Sequence, residues 1–297
     1  MKVLVTGVNG QLGHDVMREL LRRGHDAVGS GSRDCPGPTA GPYLRLDITD
    51  REAVERGIGE LRPDAVVHCA AWTAVDAAED AANRETVDRV NRLGTLYIAE
   101  AAKRADAKLL YLSTDYVFDG RGDRPWKPDD TCFAPLNVYG RSKLDGELAV
   151  AAALERFFIV RIAWVFGVNG NNFVKTMIRA GKTHDRVRVV NDQIGTPTYT
   201  ADLSRLLADM IETEKYGYYH ATNEGGYISW YDFCCEVYRQ YGLNTEVVPV
   251  STAEYGLNRA ARPFNSRLDK AKLAEAGFEP LPDWRDAVSR YLKEAAL

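Results

Sequence analysis

The sequence predicts an α/β protein built on a doubly wound parallel sheet, with a smaller, interlocked C-terminal lobe. Three observations predict it. Short β-branched runs alternate with longer helical patterns through the first half of the 297 residues. Several of these runs are apolar throughout rather than at every second position, which marks strands covered on both faces. Beyond about residue 167 the alternation loosens into shorter segments, with no Pro/Gly-rich linker at the change.

The first strand is KVLVTG (residues 2–7), and LGHDVMRELLRRG (12–24) follows as a helix. DAVGS and YLRLD are further strands. TDREAVERGIGEL is helical, opened by Thr49 or Asp50 as the capping residue. DAVVHCAA (64–71) is the next strand, followed by a long helix to about Lys103 and then the strand KLLYLST (108–114). The helix containing NVYGRSKLDGE comes next, and the strand FFIVRIAWVFG (157–167) closes the series. In the second part VRVVND, YYHAT and TEVVPVS are short strands between helices at 200–213, 229–241 and 284–295. No internal repeat or low-complexity segment is present. The expected division is 1–166 for the sheet domain and 167–297 for the second lobe, part of which returns to the first.

Hydrophobic residues make up 45% of the chain and charged residues 27%, enough apolar material for a large core. A net charge of −4 gives no global attraction to nucleic acid or to an anionic membrane. The five cysteines are an odd number without metal-ligand spacing, and the neighbours Cys234 and Cys235 are poorly placed to pair, so a reducing compartment fits. MKVLVTGVNG is too short an apolar run for a signal peptide. FFIVRIAWVF carries Arg161 and is far short of a membrane span. The expectation is a soluble cytoplasmic protein with neither nucleic-acid nor membrane partners.

TGVNGQLG places Gly7, Gly10 and Gly13 directly after the first strand and at the start of the first helix. Gly7 permits the tight turn, Gly10 lets backbone approach a pyrophosphate, and Gly13 lets the helix pack close on the strand. The helix N-terminus, with unpaired N–H groups and the positive end of its dipole, then faces the phosphates. The loop therefore predicts a Rossmann-type dinucleotide site. At the end of the second strand VGSGSR carries Ser30, Ser32 and Arg33, with no carboxylate before Asp34. A carboxylate there would hold both ribose hydroxyls of NAD, whereas hydroxyls and a guanidinium suit the 2′-phosphate of NADP. NADPH is the expected cofactor, with NADH still usable.

YLSTDYVFDG puts Ser113, Thr114, Asp115 and Tyr116 at the carboxyl end of a central strand, the edge of an open parallel sheet where ligands bind. Tyr139 and Lys143 are four residues apart on a helix, hence on one face. That spacing alone is a weak signal, and its company gives it meaning. A hydroxyl donor, a phenol and an ammonium beside a nicotinamide make a carbonyl-reduction site. Hydride arriving at a carbonyl carbon leaves charge developing on oxygen, which must be hydrogen-bonded and protonated. Tyr139 can supply the proton. Lowering its pKa from about 10 to about 7 takes roughly 4 kcal/mol of preferential stabilisation, for which Lys143 and an oxidised nicotinamide are the available cations.

The glycine loop, the Ser/Thr after the fifth strand and Tyr-x-x-x-Lys together resemble the extended short-chain dehydrogenase/reductases. Longer blocks spread over nearly the whole chain, STDYVFDG, PLNVYGRSKLDGE, GNNFVKTM, VVNDQIGTPTY and RPFNSRLDKAKL, resemble the dTDP-4-dehydrorhamnose reductases within that family. The resemblance implies NADPH-dependent reduction of the 4-keto group of a dTDP-linked 4-keto-6-deoxysugar, dTDP-4-dehydro-L-rhamnose giving dTDP-L-rhamnose. It implies Thr114 as the hydroxyl that orients and polarises the carbonyl and Tyr139 as proton donor. Lys143 is implied as its partner, which also holds the nicotinamide ribose. Gly10, Gln11 and Leu12 match the phosphate loop, Asp47 and Ile48 a pair near the adenine, and Ala70, Ala71, Trp72 and Thr73 the turn after the fourth strand. Val75, Asp115, Tyr116 and Trp164 match positions lining the sugar-nucleotide pocket, and Trp72 stands where a smaller ring is common.

In the second lobe Asn171, Asn172, Lys175, Arg262 and Asn265 fall in the matching blocks. They serve either the diphosphate and base, as an arginine does phosphate oxygens, or an ordinary surface. His68, His184 and His220 have no partners at metal spacing and read as structural. Some relatives hold magnesium at a dimer interface through glutamates. Asp15 is the first-helix position here, and that metal is not carried over, while a homodimer is compatible with the resemblance. Two alternatives stay open: a nucleotide-sugar epimerase of the same fold, which would retain NAD and oxidise before it reduces, and a non-catalytic NADP-binding subunit like the regulatory subunit of methionine adenosyltransferase.

Overall fold

The computed structural model describes residues 1–34, 37–257 and 259–296, and Cys35 of the five cysteines lies outside them. The chain runs β1 (Lys2–Thr6), α1 (Gln11–Arg22), β2 (Asp26–Gly31), β3 (Tyr43–Arg45), α2 (Arg51–Leu61), β4 (Ala65–His68), α3 (Val75–Ala78), α4 (Arg84–Asp88), α5 (Thr95–Arg104), β5 (Lys108–Thr114), α6 (Val138–Ala153), β6 (Phe157–Ile162) and β7 (Val165–Phe166). It continues as α7 (Phe173–Thr183), β8 (Arg186–Val190), β9 (Ile194–Gly195), β10 (Thr198–Tyr199), α8 (Thr200–Ile211), β11 (Gly217–His220), β12 (Ile228–Ser229), α9 (Trp230–Tyr241), β13 (Glu246–Val250), α10 (Thr252–Tyr255), α11 (Ala271–Glu275) and α12 (Trp284–Glu294).

A seven-stranded sheet has the order β11-β6-β5-β4-β1-β2-β3, and every pairing in it is parallel. The chain winds outward from β1 to β3, then crosses back to β4 and winds the other way. The switch between β1 and β4 opens a crevice at the strands' carboxyl ends. Alternate side chains of β1 serve opposite faces. Val3 and Val5 pack with Val16 and Leu20 of α1 and Leu203 and Leu207 of α8. Leu4, between them, joins Val54 and Ile58 of α2, Ile98 of α5 and Val150 of α6. Both faces are therefore dry, which is why these strands read as unbroken apolar runs. Among the described residues no helix is long and apolar enough to cross a membrane.

The second lobe has its own core, in which Phe166, Phe233, Trp284 and Tyr291 pack with the apolar faces of α7, α9 and α12. Its strands β8 and β13 pair in parallel from Arg186↔Glu246 to Val190↔Val250. The lobes interlock, because α8 packs on α1 and β11 pairs with β6.

Three elements differ from the sequence reading. The strand expected over 157–167 breaks into β6 and β7 because Trp164 takes a positive φ of +50°. The strand expected over 64–71 ends at His68, where the chain turns into the crevice. The long helix expected up to Lys103 is interrupted by a π turn at Arg89–Gly94. There Asn91 is pulled into tertiary bonds, accepting from the Trp72 N–H (2.8 Å) and donating to Ser142 Oγ (2.9 Å).

One buried pair fixes α6 against the sheet. Arg161 of β6 and Glu147 of α6 are each about 1% exposed. The guanidinium donates Nε to Oε1 (2.8 Å), Nη2 to Oε2 (2.7 Å) and Nη1 to the Pro128 carbonyl (3.0 Å). Rings of Phe118, Phe133 and Tyr218 each lie 5.1 Å from its Cζ. The fork is satisfied on every side that counts, which makes burial of both charges tolerable.

Candidate active site

A cavity of about 790 Å³ opens at the switch point, walled by the carboxyl ends of β1, β2, β4 and β5 and by α6. Its floor is the glycine loop. Gly7 has φ +70°, and a Cβ there would lie 2.7 Å from the Ala70 backbone. At Gly13 distance alone excludes a side chain, since its Cβ would sit 2.4 Å from the Gly7 carbonyl oxygen. Gly10 is different: only that same oxygen, at 3.3 Å, stands near its Cβ position. Gly10 also begins α1 without a side-chain cap on the first-turn N–H groups. The neighbouring Asn9 Oδ1 is buried without a partner. Uncapped donors at a helix start, approached over a residue with no side chain, fit a pyrophosphate.

A directed chain of hydrogen bonds holds the β1 and β4 ends together. The Ala70 N–H donates to Thr6 Oγ1 (3.1 Å), which in turn donates to His68 Nδ1 (2.7 Å). His68 Nε2 then donates to Thr95 Oγ1 (3.1 Å), and Thr95 to the Asn91 carbonyl (2.7 Å). The directions follow from Thr95, whose one proton goes to the Asn91 carbonyl, so that the neutral imidazole donates from Nε2 and accepts at Nδ1. Burial, with Lys143 nearby, lowers the His68 imidazole to about 3, so it is neutral and structural.

At the end of β2 the expected set divides. Ser30 lines the cavity but is fully buried, with its hydroxyl toward the Val5 carbonyl (3.4 Å). Ser32 and Arg33 are exposed on the cavity rim, and Asp34 is turned aside by Arg45 (2.8 Å). Asp47 receives the Thr49 N–H and hydroxyl, both at 2.9 Å, beside the buried Ile48.

Opposite the loop stand the predicted chemical groups. α6 starts at the Asn137 cap, whose Oδ1 accepts the Gly140 N–H (2.7 Å), and this presents Tyr139 and Lys143 to the cavity from one face. Thr114, the last residue of β5, is 5% exposed. Its hydroxyl donates to Asp115 Oδ1 (2.9 Å) and accepts the Tyr116 N–H (3.2 Å). Lys143 is 3% exposed, with Nζ 4.1 Å from the Tyr111 ring centre. Burial brings its ammonium down to about 7, against the opposing pull of Glu147 and Cys69.

The electrostatics of Tyr139 differ from the sequence reading. Burial pushes the phenol well above its usual range, the Asp115 charge pushes the same way, and the Thr114 hydroxyl opposes them. Burial thus holds the phenol protonated. A protonated phenol is the form a proton donor to a carbonyl requires.

Every residue assigned to the site from the sequence lines this cavity except Trp72 and Arg262, which are corrected here. The Trp72 indole N–H is folded back onto the Ala74 carbonyl (3.1 Å). Arg262 forms a bidentate pair with Asp76 (2.6 and 3.1 Å). Asn172 lines the cavity yet works structurally, capping α7 through the Lys175 N–H (3.0 Å) and donating to Gln11 Oε1 (3.0 Å). It thereby ties the second lobe to the glycine loop. Lys175 is occupied by the Val168 and Gly170 carbonyls, and Asn265 by those of Arg121 and Arg124. Asp15 accepts from Thr200, and among the described residues no group of three His, Cys, Asp or Glu is placed to hold a metal ion.

Trp230 was missed by the sequence reading. It stacks on Trp164 at 3.9 Å between centroids, and both rings line the cavity. No local pattern marks it, since Trp230 opens α9 some 60 residues beyond its partner.

The family profile described as RmlD substrate binding domain matches residues 1–297. A dTDP-4-dehydrorhamnose reductase of Streptomyces griseus is 42% identical, over 96% of this chain and 91% of that protein. A dTDP-4-dehydrorhamnose reductase structure from Clostridium acetobutylicum superposes with a TM-score of 0.92 at 38% identity, covering 100% of both chains. Another from Bacillus anthracis, solved in complex with NADP, gives 0.89 at 38% identity over 99% of each chain. With the match running from end to end and through the fold as well as the sequence, this chain belongs to the dTDP-4-dehydrorhamnose reductase family.

Proposed function

We propose that this chain is a soluble cytoplasmic enzyme that reduces the 4-keto group of dTDP-4-dehydro-L-rhamnose with NADPH, giving dTDP-L-rhamnose. The observation that carries the reading is the convergence of Thr114, Tyr139 and Lys143 on one cavity with an uncapped glycine loop, in a chain whose relatives bear that enzyme's name. Residues 1–166 hold the dinucleotide in this reading and residues 167–297 cover the sugar nucleotide.

Bound dinucleotide supplies the hydride to C4 of the sugar. The protein does the rest. Gly7, Gly10 and Gly13 bring the start of α1 to the pyrophosphate, with Gln11 and Leu12 beside it. Ala70, Ala71 and Thr73 border the nicotinamide half, Asp47 and Ile48 the adenine. Val75, Tyr116 and Trp164 line the sugar side. Thr114 donates to the carbonyl oxygen, and Tyr139 delivers its proton to that oxygen as charge develops there. Lys143, one turn along the same helix face, stabilises the phenolate that remains and holds the nicotinamide ribose.

Ser32 and Arg33 set the cofactor preference. A charge-assisted hydrogen bond to the 2′-phosphate contributes about 1.5–3 kcal/mol, or roughly 10- to 150-fold. Arg33 is exposed, so solvent screening brings the effect toward the lower end. NADPH should therefore exceed NADH in kcat/KM by about tenfold, and Arg33→Ala should shrink that ratio. Equal values in the wild type, or an unchanged ratio in the variant, would remove Arg33 from this role.

The function itself is tested by incubating the protein with dTDP-4-dehydro-L-rhamnose and NADPH. Cofactor oxidation matched mole for mole by dTDP-L-rhamnose supports the reading. Oxidation with another nucleotide sugar but not this one contradicts it.

A further inference from the structure

Thr114 has one proton to give, and the structure shows a competitor for it. Its Oγ1 accepts the Tyr116 N–H (3.2 Å) and lies 2.9 Å from Asp115 Oδ1. An ionised carboxylate can only accept, so a charged Asp115 takes the proton that the carbonyl needs. A neutral Asp115 can reverse the bond. It then donates to Thr114 Oγ1, and the Thr114 proton turns into the cavity.

The surroundings favour the neutral form. Asp115 is 2% exposed, and its Oδ2 is buried without a hydrogen bond of ordinary length and angle, although the Ser266 hydroxyl is near enough to favour the charged form. An orphaned oxygen is costlier for a carboxylate than for the carbonyl of a neutral acid. The titratable groups that face it are phenols, Tyr139 from α6 and Tyr116 from its own turn, both pushed upward chiefly by burial and so uncharged.

We propose that Asp115 is a positioning residue whose own proton sets the direction of the Thr114 hydroxyl: neutral Asp115 releases the Thr114 proton to the substrate carbonyl, and ionised Asp115 withholds it. This rests on the reading of Thr114 as carbonyl donor and adds the requirement that its neighbour be protonated. Burial raises the Asp115 carboxyl to about 6, opposed by the Ser266 and Thr114 hydroxyls. Substrate that displaces more water raises it further, so kcat should stay high to a higher pH than kcat/KM does.

The test compares pH profiles of the wild type, Asp115→Asn and Thr114→Val, with infrared spectra of the wild type and Asp115→Asn. An asparagine amide has an N–H to offer Thr114 at every pH. The fall in wild-type kcat/KM between about pH 5 and about pH 8 should exceed that of Asp115→Asn by about a hundredfold, the worth of one oxyanion donor. Titration of Lys143 is common to both and cancels in the quotient. Thr114→Val should lack the same component of the fall. Independently of turnover, a carboxylic-acid C=O band should titrate near 6 and be missing from Asp115→Asn. A quotient near one, a Thr114→Val profile that keeps the wild-type fall, or a carboxyl ionised throughout would overturn the proposal. Full turnover in Thr114→Val would instead retire the role of Thr114 itself, and this inference with it.

Discussion

Tyr139→Phe should lower kcat by a hundredfold or more, within the range of about 10²–10⁴ that a positioned general acid contributes. The expectation follows from the phenol's place rather than its residue type. Tyr139 faces the cavity from α6 beside Thr114, and burial keeps it protonated at neutral pH. NADPH affinity should change little, because in the proposed mechanism the hydroxyl serves the reacting carbonyl rather than the dinucleotide. Pre-steady-state reduction and cofactor titration separate the two quantities. Near-wild-type turnover in the variant would show that another group protonates the sugar oxygen.

The second large effect is on stability. Arg161→Met should cost about 3–5 kcal/mol, because it leaves the Glu147 carboxylate buried with neither of its two guanidinium bonds. The Pro128 carbonyl loses its donor as well. Adding Glu147→Met in the same chain should recover much of the loss, since a buried pair replaced by apolar side chains of similar volume is often neutral. Urea unfolding midpoints of the two variants and the wild type decide this. A single variant as stable as the wild type would mean that the pair contributes nothing to holding α6 on the sheet.

How much of this was legible in the sequence depends on where the cause of each feature lies. β5 was legible to the residue, since KLLYLST is apolar on both faces and bounded by turns. The cap of α2 was narrowed to Thr49 or Asp50, and Asp50 fills it by accepting the Ala53 N–H (3.0 Å). The glycine loop could be read because its reasons are local: a positive φ at Gly7 and a 2.4 Å approach at Gly13 leave no other residue type there. Features with distant causes were not legible. Trp164 breaks its strand while stacked on Trp230, close to Gly195, where a Cβ would meet the indole at 3.0 Å. Arg262 is drawn off the cavity by Asp76, 186 residues away in the chain. Ser30 lines the cavity as expected, yet its full burial and its contact with the Val5 carbonyl depend on the neighbouring strand. The Tyr139–Lys143 spacing showed that the groups share a face. It could not show how strongly burial acts on each group, because that is set by the whole cavity wall.

The most direct test of the central claim follows a label. NADPH carrying deuterium at the transferable nicotinamide position is incubated with dTDP-4-dehydro-L-rhamnose and the protein, and the sugar is examined by NMR. One deuterium at C4 of dTDP-L-rhamnose, with one NADP formed per product, is the predicted result. A product without deuterium at C4, or an epimerised keto sugar with no net cofactor oxidation, would contradict the assignment of this cavity as a carbonyl-reduction site.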